Sequence, residues 1–265
     1  MTESSYQTLL LDTPKADVLR VTLNRPEAAN AFNTRMAVEL YSLFESLALD
    51  AGSYRCAVVT GQGRRAFCAG GDLKERDGMS DAVWKKQHLV YERMVRAMLD
   101  CPIPMVGAIN GAAFGGGCEI CAAMDFAYAA DNARFALTET SLGIIPGTGG
   151  TQTLARAVGE RRAKELILSA KPFDAHRAKD WGLINEVFPA EELMERALEV
   201  AERIAGNAPI AVCQAKIAIH QGLQMSLADG LRFEIEAYNR TVTTEDRLEG
   251  VRAFNEKRRP DFTGR

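Results

Sequence analysis

The sequence predicts an α/β protein wound as a spiral of repeated ββα turns and completed by an all-helical C-terminal region. Three observations carry this expectation. Short apolar, strand-like runs alternate with helical stretches along most of the chain. Several of these runs are followed by a second, shorter one before the next helix begins. Strand-like runs then stop near residue 190, and only helical patterns occur beyond it. Repetition of one strand–strand–helix unit points to stacked turns rather than to a flat doubly wound sheet. The expected division is a spiral core over residues 1–190 and a helical region over 191–265. Such a helical region, lacking a large core of its own, packs on the body or on another subunit.

Each element has its own local signal. Val18-Leu19-Arg20-Val21-Thr22-Leu23 alternates as a strand and ends at the turn Asn24-Arg25-Pro26. Asn33 is placed to cap an amphipathic helix running to about residue 49. Residues 56–60 form a short buried strand, and Ala66-Phe67-Cys68-Ala69 a second that stops at Gly70-Gly71-Asp72. A helix spans about 81–99. Met105-Val106-Gly107-Ala108-Ile109 is the next strand, halted by Asn110-Gly111, and Gly115-Gly116-Gly117 opens a buried helix. Strand-like runs at 126–130 and 134–137 close the pattern. Helical stretches are expected at about 191–206, 208–222, 226–240 and 245–257, broken near Pro209, Gly222 and Thr244.

The bulk properties exclude several function classes. At 265 residues the chain can bury a closed site. A formal net charge of -3 provides no basic excess for nucleic-acid or membrane binding. Residues 1–6 lack the basic and apolar regions of a secretory signal, and no run approaches the ~18 apolar residues of a membrane span. A cytoplasmic location is therefore expected. Most of the six cysteines lie in apolar surroundings that suit buried thiols in a reducing compartment. Cys118-Glu119-Ile120-Cys121 has C-x-x-C spacing but neither a second pair nor a nearby histidine, so no metal site is expected. His88, His176 and His220 are dispersed and suggest no triad. Gly61-Gln62-Gly63-Arg64-Arg65-Ala66 matches a dinucleotide fingerprint in letters, yet a strand rather than a helix comes after it.

Two glutamates stand out. Glu119 and Glu139 lie in apolar, glycine-rich stretches where an ionised carboxylate is costly to bury without partners. Brought together, they form a pair able to activate a water. The glycines before Glu119 leave helix-start N–H groups open to a developing oxyanion. Cys68-Ala69-Gly70-Gly71-Asp72-Leu73-Lys74 allows close approach of a ligand to the backbone, with Asp72 able to cap the residues after it and Lys74 placed to help an anion.

These motifs jointly resemble the enoyl-CoA hydratase/isomerase, or crotonase, superfamily over about residues 18–262. The matching stretches are Asn24-Arg25-Pro26 with Asn30-Ala31, residues 67–74, Asn110-Gly111 with residues 115–119, and Glu139 with residues 142–152. The resemblance implies a crotonase-like fold and a hydratase, since both glutamates are retained 139 − 119 = 20 positions apart. It implies an oxyanion hole from the N–H groups of Gly71 and Gly116, and Glu119 and Glu139 as catalytic residues. Ala28, Ala69, Gly71, Asp72, Leu73 and Lys74 are the implied substrate-binding positions. Phe254 and Lys257 match the tail residues that help hold the CoA nucleotide at a subunit contact. No cofactor is implied, CoA entering as part of the thioester substrate. A homotrimer or homohexamer is implied. The tail from Asp246 to Arg258, with residues 163–167, is similar to the methylglutaconyl-CoA hydratases of branched-chain amino-acid breakdown. The competing expectations are an enoyl-CoA isomerase, for which one glutamate suffices, and a non-catalytic RNA-binding relative. The segment from Arg76 to Leu99 is expected to cover the acyl pocket.

Overall fold

Apolar runs too short for helices become the interior of two sheets. The computed structural model describes residues 6–265; the polar stretch at the N-terminus lies, except for Tyr6, outside the described residues. The chain runs through β1 (Leu9–Lys15), β2 (Val18–Leu23), α1 (Thr34–Leu49), β3 (Cys56–Gly61), β4 (Ala66–Cys68), α2 (Leu73–Arg76), α3 (Asp81–Asp100), β5 (Met105–Ile109) and β6 (Ala112–Phe114). It continues through α4 (Gly116–Ala123), β7 (Phe126–Ala130), β8 (Arg134–Ala136), α5 (Gly150–Val158), α6 (Glu160–Ser169), β9 (Phe173–Asp174), α7 (Ala175–Asp180) and β10 (Glu186–Phe188). Four helices complete it: α8 (Leu193–Ala205), α9 (Pro209–Gly222), α10 (Leu227–Val242) and α11 (Glu245–Glu256).

The first strand of each unit joins a six-stranded sheet of order β1-β2-β3-β5-β7-β10, and the second a four-stranded sheet of order β4-β6-β8-β9. Pairing is parallel along β2-β3-β5-β7-β10 and along β4-β6-β8, with β1 and β9 as antiparallel edges. Chain units β3-β4, β5-β6 and β7-β8 therefore stack as successive turns, the spiral expected from the repeat. β3 and β5 are buried at every position, which is why they read as continuous apolar runs rather than alternating ones.

Asn33 caps α1, its side chain accepting from Met36 N–H. α3 buries Gln87, Tyr91, Met94, Val95 and Met98 at helical spacing. After residue 190 only helices occur among the described residues. α8 presents Leu193, Ala197, Ala201 and Ala205 every fourth residue, and this face packs in one apolar cluster with Val58, Val106 and Ala108 of the sheet. In contrast α9 buries no residue, and Ile219, Leu223, Leu231, Ile235 and Tyr238 of α9 and α10 and their linker are exposed. None of the described helices is long and apolar enough to cross a membrane.

β1 was not expected. Its Leu9–Lys15 run carries Asp12 and Pro14 and is largely exposed on an edge, so neither alternation nor a buried run marks it. α5 and α6 also lack a readable start, because glycines (Gly149 and Gly159) rather than capping side chains precede them.

Candidate active site

The short sheet positions the site. Cys68 pairs with Ala113, and Ala113 with Phe135, so the residues three further on, Gly71, Gly116 and Thr138, occupy matching places on neighbouring turns. Glu139 comes next in sequence and opens a 3-10 turn over Glu139–Leu142. Gly116 is the first residue of α4, whose first turn carries Glu119. One cavity of about 660 Å³ brings Gly71, Gly116, Glu119 and Glu139 together. Trp84, His88 and Tyr91 of α3 and the segment from Ile144 to Thr148 form walls of the same cavity.

Two residues lining this space have backbone N–H groups without a protein acceptor among the described residues. Phe32 bridges to Gly71 in parallel fashion: Phe32 N–H donates to Gly70 O and Asp72 N–H to Phe32 O, leaving Gly71 N–H directed away from that bridge. Gly116 N–H is a first-turn amide, with no intrahelical carbonyl to meet. The two loops are in contact, since a Cβ on Gly70 would lie 3.0 Å from Gly116 N. Gly116 itself has no room for a side chain, because a Cβ would sit 2.4 Å from the Phe32 ring. Gly71 does have room, its nearest neighbour being Tyr91 at 3.5 Å, so alanine fits there without moving the amide.

The two glutamates occupy contrasting surroundings. Glu119 is 3% exposed, and its oxygens accept from Thr148 N–H at 2.9 Å, Gly150 N–H at 2.7 Å and Thr148 Oγ1–H at 2.5 Å. Gly150 begins α5, so Glu119 ties the start of α4 to the positive end of a second helix. Glu139 is 8% exposed, and its Oε2 is buried with no hydrogen-bond partner. Burial, together with the charge of Glu119, raises the Glu139 carboxyl to about 7, against a weaker lowering by its own backbone N–H. Glu139 thus keeps a proton at acidities where an ordinary carboxyl has lost it, while donors surround Glu119. A buried carboxyl raised toward neutrality and a second carboxyl set among donors, beside two open amides, can split acid from base work around one water.

This titration makes a stability prediction. Between the ordinary value of about 4.5 and about 7, the folded state holds the Glu139 proton more firmly than the unfolded chain does. Stability therefore declines as pH rises through that window and levels off above it. Glu139→Gln removes the titration, so its Tm relative to the native protein should climb between about pH 5 and about pH 8. Melting curves at the two ends check this; a constant difference contradicts it.

The family model for enoyl-CoA hydratase/isomerase matches residues 13–265. The chain belongs to the enoyl-CoA hydratase/isomerase family. YngF of Bacillus subtilis is 45% identical to it over 92% of this chain and 94% of that protein. The human mitochondrial methylglutaconyl-CoA hydratase is 36% identical over 99% of this chain and 78% of its own length. The crystal structure of the enoyl-CoA hydratase from Bacillus anthracis superposes with a TM-score of 0.96 at 43% identity, covering 98% of this chain and all of that one. Proteins of this enoyl-CoA hydratase/isomerase family act on acyl-CoA substrates.

The remaining positions named from the sequence lie around the rim or elsewhere. Asp72 is buried, but its carboxylate caps α2 through Lys74 and Glu75 N–H and pairs with Arg25 Nη2 at 2.8 Å. Burial acts to raise Asp72, and Arg25 with those amides outweighs it, holding the carboxyl below the usual range. Leu73 and Lys74 are exposed and line a shallow groove that shares Arg76 and Trp84 with the cavity. Ala28 ends a 3-10 turn over Pro26–Ala28 and is half-buried, and Ala69 is exposed in the turn after β4. Neither lines the cavity. Phe254 is 84% exposed on α11 and Lys257 lies just past that helix, both outside the cavity of this family member. Among the described residues no group of three or more His, Cys, Asp or Glu could hold a metal.

Three residues that shape the site have no role among the sequence expectations. Thr148 and Gly150 supply every donor to Glu119; the run Gly147-Thr148-Gly149-Gly150 was the readable signal. His88, set aside as dispersed, stands in the cavity wall with its Nε2–H donating to Gly147 O at 2.9 Å. Its spacing from Trp84 and Tyr91 on one helix face was the signal available.

Proposed function

We propose that the chain is an enoyl-CoA hydratase that adds water syn across the double bond of a 2-enoyl-CoA thioester. The supporting observation is the pairing of a buried Glu139, whose Oε2 has no hydrogen-bond partner, with a donor-surrounded Glu119 in a cavity that also presents two unengaged backbone N–H groups. In this reading the thioester oxygen accepts from Gly71 and Gly116, each donor contributing roughly 3 kcal/mol to the enolate-like state. Glu119 accepts a proton from water as its oxygen bonds to Cβ. Glu139 delivers its proton to Cα. The proton gained at Glu119 balances the one lost from Glu139, so no other acid or base enters the net addition. Rate should accordingly fall as pH rises through about 7, where Glu139 gives up its proton.

CoA is part of the substrate in this proposal and no separate cofactor takes part. Exposed apolar residues on α9 to α11, Phe254 among them, support a homotrimer or homohexamer in which Phe254 and Lys257 meet CoA across a subunit contact. The tail motif and the similarity to a methylglutaconyl-CoA hydratase support a second, narrower reading, that substrate in particular. Hydration of crotonyl-, longer enoyl-, 3-methylglutaconyl- and aryl-enoyl-CoA, with a 3-enoyl-CoA as the isomerase control, tests both. Failure to hydrate any of the 2-enoyl thioesters would falsify the hydratase assignment.

A further inference from the structure

Arg76 closes α2 beneath the cavity and is 8% exposed. Its Nε–H donates to Gln87 Oε1 at 2.8 Å, and its guanidinium carbon lies 4.2 Å from the Trp84 ring centre and 4.9 Å from that of Tyr91. Nη2, however, is buried with no acceptor. The neighbouring acids do not supply one: Asp72 is paired with Arg25, and Glu75 accepts from Thr34 N–H and Gln87 Nε2–H. Of the two cavity acids, Glu119 is held by Thr148 and Gly150, and Glu139 Oε2 is itself unpartnered. A native protein rarely leaves a buried charged donor unmet, and a planar guanidinium stacked between rings is already oriented for a carboxylate. A Cβ on Gly71 would lie 3.8 Å from Arg76 Cζ, so the guanidinium sits close to the proposed thioester site.

We infer that Arg76 selects an acyl group bearing its own carboxylate, so that the favoured substrates are 2-enoyl thioesters of short dicarboxylic acids. This inference rests on the acyl-CoA reading above. It goes beyond that reading by naming the residue and the chemical group that decide between acyl chains. Gln87 acts as the positioning residue, clamping Nε of a side chain that lines the cavity.

Calorimetric titration with butyryl-CoA and glutaryl-CoA, which share every phosphate and differ at the acyl end, tests it without any turnover. The native protein should bind glutaryl-CoA about tenfold or more tightly than butyryl-CoA. Arg76→Met should bring that ratio close to one, and Arg76→Lys should retain part of it. Equal affinities in the native protein, no glutaryl-CoA binding, or a ratio unchanged in Arg76→Met would each overturn the inference. A parallel loss for both ligands would assign the guanidinium to the common thioester end and overturn it as well. The hydratase reading fails separately: absence of hydration of both crotonyl-CoA and 3-methylglutaconyl-CoA alongside an intact glutaryl-CoA preference removes that reading alone.

Discussion

Glu119→Gln and Glu139→Gln are each expected to lower kcat for crotonyl-CoA hydration by about 10²-fold or more, the usual scale for losing a positioned acid or base. Acyl-CoA binding should survive in both variants, because the amides of Gly71 and Gly116 and the walls contributed by α3 remain. The two losses should differ in origin. Glutamine at 139 keeps the volume but cannot deliver a proton. Glutamine at 119 cannot accept one, and its amide nitrogen would meet the Thr148 and Gly150 donors that now point at Glu119. Glu119→Gln should therefore also lower Tm, whereas Glu139→Gln, freed from burying a titrating carboxyl, should not. The double variant should fall little below the worse single one, as groups acting as a unit do. Near-native turnover in either single variant would remove that residue from the chemistry.

The second large effect concerns glycines a few positions apart in role. A Cβ on Gly117 would lie 2.0 Å from the backbone oxygen of Cys68, which cannot swing away as a side chain could. Gly117→Ala should cost about 3 kcal/mol or more and lower Tm by several degrees. It should also disturb the oxyanion geometry, since β4 and the start of α4 would have to part. Gly71→Ala, by contrast, meets only ordinary van der Waals neighbours and has no positive φ to lose. Its Tm should stay within about 1 °C of native, and hydration should persist. Thermal melts of the two variants side by side decide the matter; equal effects would mean that the close approach at Gly117 is not what holds the turns together.

The strands that carry the spiral were legible because they are buried on both faces. Residues such as Val58, Val106 and Ala129 leave no room for a polar letter, and the resulting runs are unmistakable. Asn33 announced its helix through a capping side chain, and Thr244, read as a break, proves to cap α11. Glu119 and Glu139 were legible for the opposite reason, as charges in stretches that have no local use for them. The features that could not be read depend on contacts distant in sequence. Thr148 reaches Glu119 across 29 positions, and the unmet Nη2 of Arg76 becomes apparent only once Gln87 is seen to take Nε alone. A charged residue on a short helix looks like any solvated surface position until its neighbours are placed.

The matching positions of Gly71 and Gly116 on adjacent turns have a broader consequence. Both follow directly from β4 and β6, which pair in parallel through Cys68 and Ala113 at the usual strand spacing of about 4.8 Å. In the proposed hydratase the pair of amides works as a caliper whose opening is set chiefly by backbone stacking. Such a gauge would hold the one feature common to all thioesters while α3 and the segment from Ile144 to Thr148 vary around it. Changes of acyl preference within this scaffold can then arise at Arg76, Trp84 or His88 without resetting the carbonyl grip.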